Sequence, residues 1–503
     1  MDTLQYIANG FAIAATPINL WYTFLGCFMG TIIGVLPGIG PAAGIALLIP
    51  VTFGMNPTSA LIMMAGIYYG AMYGGSTTSI LINTPGETSS VMTAIDGYQM
   101  AKNGRAGAAL AVSAIGSFIA GTISVILLSM LAVPLASFAL RFGPAEYFTL
   151  MLFAMTAVAA LTGKSLAKGM LSMVLGLVIA TVGIDLQSGQ PRYTMGIPEL
   201  QDGVGFIVVV VGLFAIGEVF SGMEDYFKGK SEIIRIKGKL WLTREEWSRS
   251  WRPIIRGALI GFFKGVLPGA GATIATILSY SLERSIHKEK EKFGTGMIEG
   301  VAGPESANNA AVGGAMVPLL TLGVPGSGST AVLMGAFIMY GIQPGPLLLQ
   351  NRPDLVWGLV DSMYIGNIML LILNLPLIGV FVRLLYIPTG ILLALILAIS
   401  TIGIYAGNGN VLELYMALFF GVLGYIFRKV EIPAAPLVLS LVLGGIMEQS
   451  FRQAMTISGA DPKIFVSSSI CIILLALTAI ALSLPFLVPK LKEWKKGPED
   501  LES

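Results

Sequence analysis

Long apolar runs alternate with short polar breaks along almost the whole chain. Runs at 18–36, 107–135, 203–220, 366–385, 387–405 and 464–487 reach or approach the roughly 20 residues that cross a bilayer at about 1.5 Å per residue. With the broken runs between them, they predict an all-α polytopic membrane protein of about 10–12 transmembrane helices. The longest polar stretch, 224–256, separates two halves whose breaks match. "GVLPGIG" at 34–40 recurs as "GVLPGAG" at 265–271, so that Pro268 follows Pro37 by 231 residues (268 − 37). "NTPGE" at 83–87 pairs with "GVPGS" at 323–327, Pro325 following Pro85 by 240 (325 − 85), and Gly314 follows Gly74 by the same interval. Two motif pairs in one order point to an internal duplication.

These breaks constrain the backbone. Inside hydrocarbon, each unpaired backbone N–H or C=O costs several kcal/mol, so irregular chain is tolerated only where protein or a water-filled cavity surrounds it. Proline removes a donor and turns the preceding residue out of the helical region. Glycine is expected to follow it with positive φ. The four Pro-Gly motifs therefore read as broken helices or re-entrant hairpins. The expected division is a first membrane repeat at 1–223, a cytoplasmic basic loop with an interfacial helix at 224–256, a second repeat at 257–450, and a terminal membrane helix with cytoplasmic tail at 451–503. Span parity, which the sequence leaves open, decides between parallel and inverted halves. Inversion is the expectation, because it yields two access states from one plan.

Composition agrees with this class and narrows the chemistry. Of 503 residues, 55% are hydrophobic and 12% charged, about half the roughly 25% charged content of soluble domains; mean hydropathy is +0.80. No Lys or Arg precedes Lys102, so the first apolar segment lacks the basic flank of a cleaved signal and is expected to be retained. Basic residues from Lys228 to Arg256 and the lysines at 490–496 orient the loop and the tail toward the cytoplasm. Trp241, Trp247 and Trp251 among charges suit an interfacial helix. Cys27 and Cys471 are the only cysteines and His287 the only histidine, which excludes a disulfide framework and a His/Cys metal centre. "GKS" at 163–165 and 229–231 lacks the phosphate-loop glycine, since Val158 and Glu224 occupy that position. No GxSxG serine motif occurs either.

Freed helix N-termini attract anions, while freed carbonyls and hydroxyls suit a hard cation such as Na⁺. Paired breaks in matching halves are where secondary transporters bind substrate. The candidate substrate site is Ser76, Thr77, Asn83, Thr84, Pro85 and Gly86, facing Val324, Pro325, Gly326 and Ser327. Candidate cation ligands are Gly38, Gly40, Gly269, Gly271, Glu305, Asn308 and Asn309. Glu305 is preferred among the acids near the motifs; Glu87, Asp96, Glu299 and Asp361 read as solvated loop positions. The competing explanation is close helix packing by small residues.

At these residues the chain resembles the large membrane subunit, TctA type, of the tripartite tricarboxylate transporters. The resemblance runs from about residue 18 to 450 and rests on "GVLPGIGP", "YYGAMYGGSTTSILINTPGE", "DGYQMAKNGRAGAAL", "GVLPGAGATIA", "GPESANNAA" and "LGVPGSGSTAVL". It implies a secondary importer of carboxylates in the bacterial inner membrane, coupled to Na⁺ or H⁺ and needing no other cofactor. It further implies a small TctB-type membrane subunit and a TctC-type periplasmic binding protein as partners. A passive channel or an exporter of small organic anions is the alternative, because paired half-helices also build channels.

Overall fold

The structure is a computed structural model that describes residues 3–36, 38–162, 165–185, 187–226, 234, 239–269 and 271–495. Pro37, the basic residues Lys228, Lys230, Arg235 and Lys237, and Lys496 lie outside them. From the N-terminus the elements are α1 (Thr3–Ala14), α2 (Pro17–Val35), α3 (Gly40–Leu48), α4 (Pro57–Ile82), α5 (Val91–Met100) and α6 (Ala106–Ala139). Then come α7 (Pro144–Leu161), α8 (Leu166–Ala180) and two short strands, β1 (Gly183–Ile184) antiparallel to β2 (Pro191–Arg192). α9 (Phe206–Val210) passes through a π-turn at Val211–Ile216 into α10 (Gly217–Tyr226). α11 (Arg244–Val266), α12 (Gly271–Ile286), α13 (Glu299–Leu322), α14 (Gly328–Met339), α15 (Pro346–Asn351) and α16 (Pro353–Asn374) follow. α17 (Ile378–Leu384), α18 (Thr389–Asn408), α19 (Val411–Lys429), α20 (Ala435–Ile457) and α21 (Ser469–Lys495) complete the chain.

Among the described residues, seven helical stretches are long and apolar enough to cross a membrane, and four shorter apolar helices accompany them. The chain is thus an all-α polytopic membrane protein. It divides into two compact units, one holding the chain to Leu140 with Gly205–Tyr425, the other Arg141–Val204 with the chain from Ile426.

Glycine at every fourth position lets the central helices of the first unit meet. A Cβ on Gly26, Gly30 or Gly34 of α2 would stand 2.2–2.4 Å from the carbonyl oxygens of Met63, Ile67 and Ala71 on α4. Gly257, Gly261 and Gly265 of α11 meet the carbonyls of Gly303, Ala307 and Ala311 on α13 at 2.2–2.4 Å in the same manner. Only side chains without Cβ permit such backbone contact between helices. Both pairs are parallel, because residue numbers rise together along each contact. α4 and α13 are buried from Ser59 to Leu81 and from Glu299 to Thr321, which lets them carry Ser, Thr, Asn and Glu away from lipid. These two run antiparallel to each other: Ser76 bonds Glu305, and Ile80 and Val301 both lie against Gly97.

Three ion pairs gather near the N-terminal ends of α11 and α13: Arg105 with Glu246 at 2.7 Å, Arg249 with Glu299 at 2.7 Å, and Arg256 with Glu283 at 2.5 Å. Trp247 and Trp251, assigned to an interfacial helix, lie exposed in the first turns of α11. In the second unit, α8 approaches α7 and α20 through Gly169 and Gly176, and Phe148, Phe451 and Phe465 form a ring cluster with centroids 4.8–5.6 Å apart. Arg452 grips both oxygens of Asp185, at 3.1 and 2.9 Å, and also bonds Glu448.

Candidate functional site

α4 stops at Ile82 because Asn83 takes a left-handed φ of 54°, a conformation Asn tolerates better than most residues with a Cβ. Pro85 then prevents resumption. α13 stops at Leu322 in the same way, with Gly323 at φ 68° and Pro325 two residues on. Each tip leads into a new helical start. Thr88–Ser90 forms one 3₁₀ turn before α5, while Ser327 caps α14 by accepting from the Thr330 N–H at 3.2 Å.

The expected positive φ occurs at Gly38 (89°), Gly40 (65°), Gly269 (122°) and Gly271 (41°), but not at Gly86 or Gly326. At those two tips the turn has already been made three residues earlier, by Asn83 and Gly323. Space is what requires glycine there. A Cβ on Gly86 would lie 2.4 Å from the Gly34 carbonyl oxygen and 2.5 Å from Gly75 Cα; one on Gly326 would lie 2.7 Å from the Gly265 carbonyl oxygen and 3.0 Å from Ala315 Cα.

Polar contacts tie each tip to the long helix of the other half. Asn308 on α13 donates to the Glu87 carboxylate at 2.9 Å, and the Tyr68 hydroxyl on α4 shares a hydrogen bond with Ser327 Oγ at 3.2 Å. Thr88 and Thr273 hydroxyls meet at 3.1 Å, and the Gly269 N–H donates to the Gly326 carbonyl at 3.3 Å. The first turn of α12 therefore stands beside both tips. Glu305, fully buried, accepts from Ser76 on α4, Thr93 on α5 and Ser113 on α6, the last at 3.2 Å. Asn309 donates to Ser117 at 2.7 Å one turn further along α13.

The two braced helix ends are thus lined by hydroxyls, amides and one half-buried carboxylate. Residues 20–439 match the Tripartite tricarboxylate transporter TctA family. The chain belongs to that family. It is 46% identical over 476 residues, 95% of each chain, to an uncharacterized 52.8 kDa protein in the TAR-I ttuC' 3' region of Agrobacterium vitis. A second relative from that organism, an uncharacterized protein in the TAR-II ttuC' 3' region, is 46% identical over 227 residues, 45% of this chain and 94% of the relative. No solved structure matches. TctA membership makes the chain a component of a tripartite tricarboxylate transporter and a transport protein.

Within this TctA chain, the expected site residues fall into two places. Thr84, Pro85 and Gly86 form the first tip with exposed Asn83, and Val324, Pro325 and Gly326 are buried in the second with half-buried Ser327. Ser76 and Thr77 lie inside α4, where Ser76 is engaged by Glu305. Gly269 and Gly271 pack on the second tip, whereas Gly38 faces Glu218, whose carboxylate lies 2.8 Å from the position of an added Cβ. Three acids read as solvated are buried: Asp96 and Asp361 are 0% exposed and Glu299 5%. Asp96 accepts from the N–H groups of Gly294, Gly296 and Met297 at 2.8–2.9 Å and from Tyr280 at 2.8 Å. Sequence reasoning missed Tyr68, Thr93, Ser113 and Glu218. Tyr68 had a signal, since it precedes Asn308 by the motif interval of 240 residues (308 − 68).

Proposed function

We propose that this TctA protein is the membrane permease of a binding-protein-dependent carboxylate importer, working by secondary transport driven by Na⁺ or H⁺. Its setting is the bacterial inner membrane. A small TctB-type subunit accompanies it, and a TctC-type periplasmic protein delivers the carboxylate. One observation carries the reading: adding 240 to Glu87 and Tyr68 gives Ser327 and Asn308. The bonds Glu87–Asn308 and Ser327–Tyr68 are then one contact made twice with the halves exchanged, the mark of a two-fold axis. α4 and α13 are counterparts at this interval, and their antiparallel course supports inverted repeats within 1–223 and 257–450.

In such a protein the tips bind substrate between the halves, and rocking of one half against the other exposes them to each side in turn. A carboxylate would be held by N–H groups and helix dipoles beside Ser327 and Thr330, with no obligatory arginine. Of the candidate cation ligands, Asn308 stands beside Glu87 and offers the cation a side-chain oxygen, while Gly38 faces Glu218 and Glu305 is taken up by hydroxyl donors. The complex with its two partners, reconstituted in vesicles and offered a panel of carboxylates, should accumulate one of them above the outside concentration. Accumulation should collapse when the Na⁺ and pH gradients are abolished. Uptake that only equilibrates, whatever the gradient, would replace the importer with a channel.

A further inference from the structure

The duplicated contact differs in one chemical respect. Glu87 in the first tip is matched by Ser327 in the second, so only one tip carries a formal charge. We infer that the coupling ion is a monovalent metal cation, Na⁺, held at the first tip between the Glu87 carboxylate and the Asn308 amide oxygen. The inference rests on the transport reading above and assigns its ion to one place.

Asn308 carries the argument. It is 0% exposed and spends its amide nitrogen on Glu87, while its Oδ1 has no hydrogen-bond partner. A buried unpaired acceptor costs about 1–3 kcal/mol, and this one belongs to a side chain already bonded to a carboxylate. Rotating the amide by half a turn would give up the Nδ2 bond to Glu87 and direct Oδ1 toward the carboxylate in its place, and two oxygens would then face one point. A positive ion satisfies both at once. Glu87 has no ion pair among the described residues and is half-buried at the tip, so an ion can reach it.

Glu305, one turn away, is a poorer candidate. Its carboxylate is enclosed and already accepts three hydroxyl donors, which makes it the brace between α13 and the helices of the first half. No group of three or more His, Cys, Asp or Glu side chains converges among the described residues. A single carboxylate with neutral oxygens balances a charge of one, which favours Na⁺ over divalent ions. The uncharged second tip is left for the anionic substrate.

The test measures ²²Na⁺ binding to the purified full-length chain, with no substrate and no uptake step. Wild type should bind ²²Na⁺ that NaCl displaces and KCl does not. Glu87→Gln, which keeps the side-chain shape, and Asn308→Ala should each weaken binding at least ten-fold. Glu87→Asp should recover part of it, and the exposed Asp354→Asn should bind as wild type. Wild-type affinity in both Glu87→Gln and Asn308→Ala overturns the site, as does a folded wild-type chain that binds no Na⁺ while its uptake follows a pH gradient. Because binding is read without transport, failure of the site is distinguishable from failure of the importer reading.

Discussion

Replacing Gly86 by alanine adds one carbon at the most crowded point of the first tip. That carbon would stand 2.4 Å from the Gly34 carbonyl oxygen and 2.5 Å from Gly75 Cα, about 1 Å inside the ~3.5–4.0 Å optimum of such contacts. Both obstacles are backbone, so no rotamer change relieves them. α2 or α4 must move, or the tip must swing out. Overpacking of this kind costs about 1–3 kcal/mol. Backbone conformation adds nothing, since φ at Gly86 is not positive; the penalty is steric alone. At Gly326 the corresponding distances are 2.7 and 3.0 Å, so Gly326→Ala should lie lower in that range. Gly445, in the middle of α20, has nothing within 4 Å, and alanine there should be neutral or stabilise by about 0.5–1 kcal/mol. Melting of each full-length variant in detergent, with carboxylate uptake alongside, orders them as Gly86→Ala least stable, then Gly326→Ala, then wild type with Gly445→Ala at or above it. Gly86→Ala should also lose uptake, because the displaced tip carries Glu87 with it. A Gly86→Ala protein that melts with wild type, or a Gly326→Ala protein less stable than it, refutes the close-contact account.

In the second unit, hydrogen bonds from Arg452, followed by the Gln187 N–H, hold Asp185 below the usual carboxylate value of 3.8. A lowered folded value means stability present above that pH and lost as the pH falls through the folded value. Melting of wild type should therefore fall in acid, from about pH 4 downward, whereas Asp185→Asn should be less stable near neutrality and show a flatter acid limb; parallel curves would remove Asp185 from the acid response. Asp361 on α16 is 0% exposed with neither carboxyl oxygen hydrogen-bonded, and a buried polar group left without a partner costs about 1–3 kcal/mol. Asp361→Leu, similar in size and apolar, should accordingly raise the melting temperature, and a lower one would mean the carboxyl group has a stabilising partner.

Much of this arrangement could be read from residue order, and what escaped has a common cause. Membrane class followed from run length. The helix ends at Ile82 and Leu322 followed from Pro-Gly, because proline acts on its own neighbourhood whatever surrounds it. The residue that makes each turn was misassigned, since the left-handed position belongs to the end of the preceding helix, at Asn83 and Gly323, rather than to the proline's partner glycine. That rule is also local and was available.

Long-range partners are a different matter. Asp96 lies in "AIDGYQ" and Glu299 in "MIEGVAG", where a lone acid between apolar residues has the same local appearance whether water or protein meets it. Asp96 is buried because residues 294–297 fold back over α5 and present three N–H groups to it, and that return is encoded about 200 residues away. The proposed duplication offers one way past this limit. Where halves correspond at a constant interval, a contact in one orientation implies its exchanged counterpart. Knowing that Asn308 meets Glu87 would have pointed to Tyr68 meeting Ser327 without any further measurement. The same comparison isolates divergence: a position that keeps its contact but changes from carboxylate to hydroxyl has retained its structural task and altered its chemical one. That argument singles out Glu87.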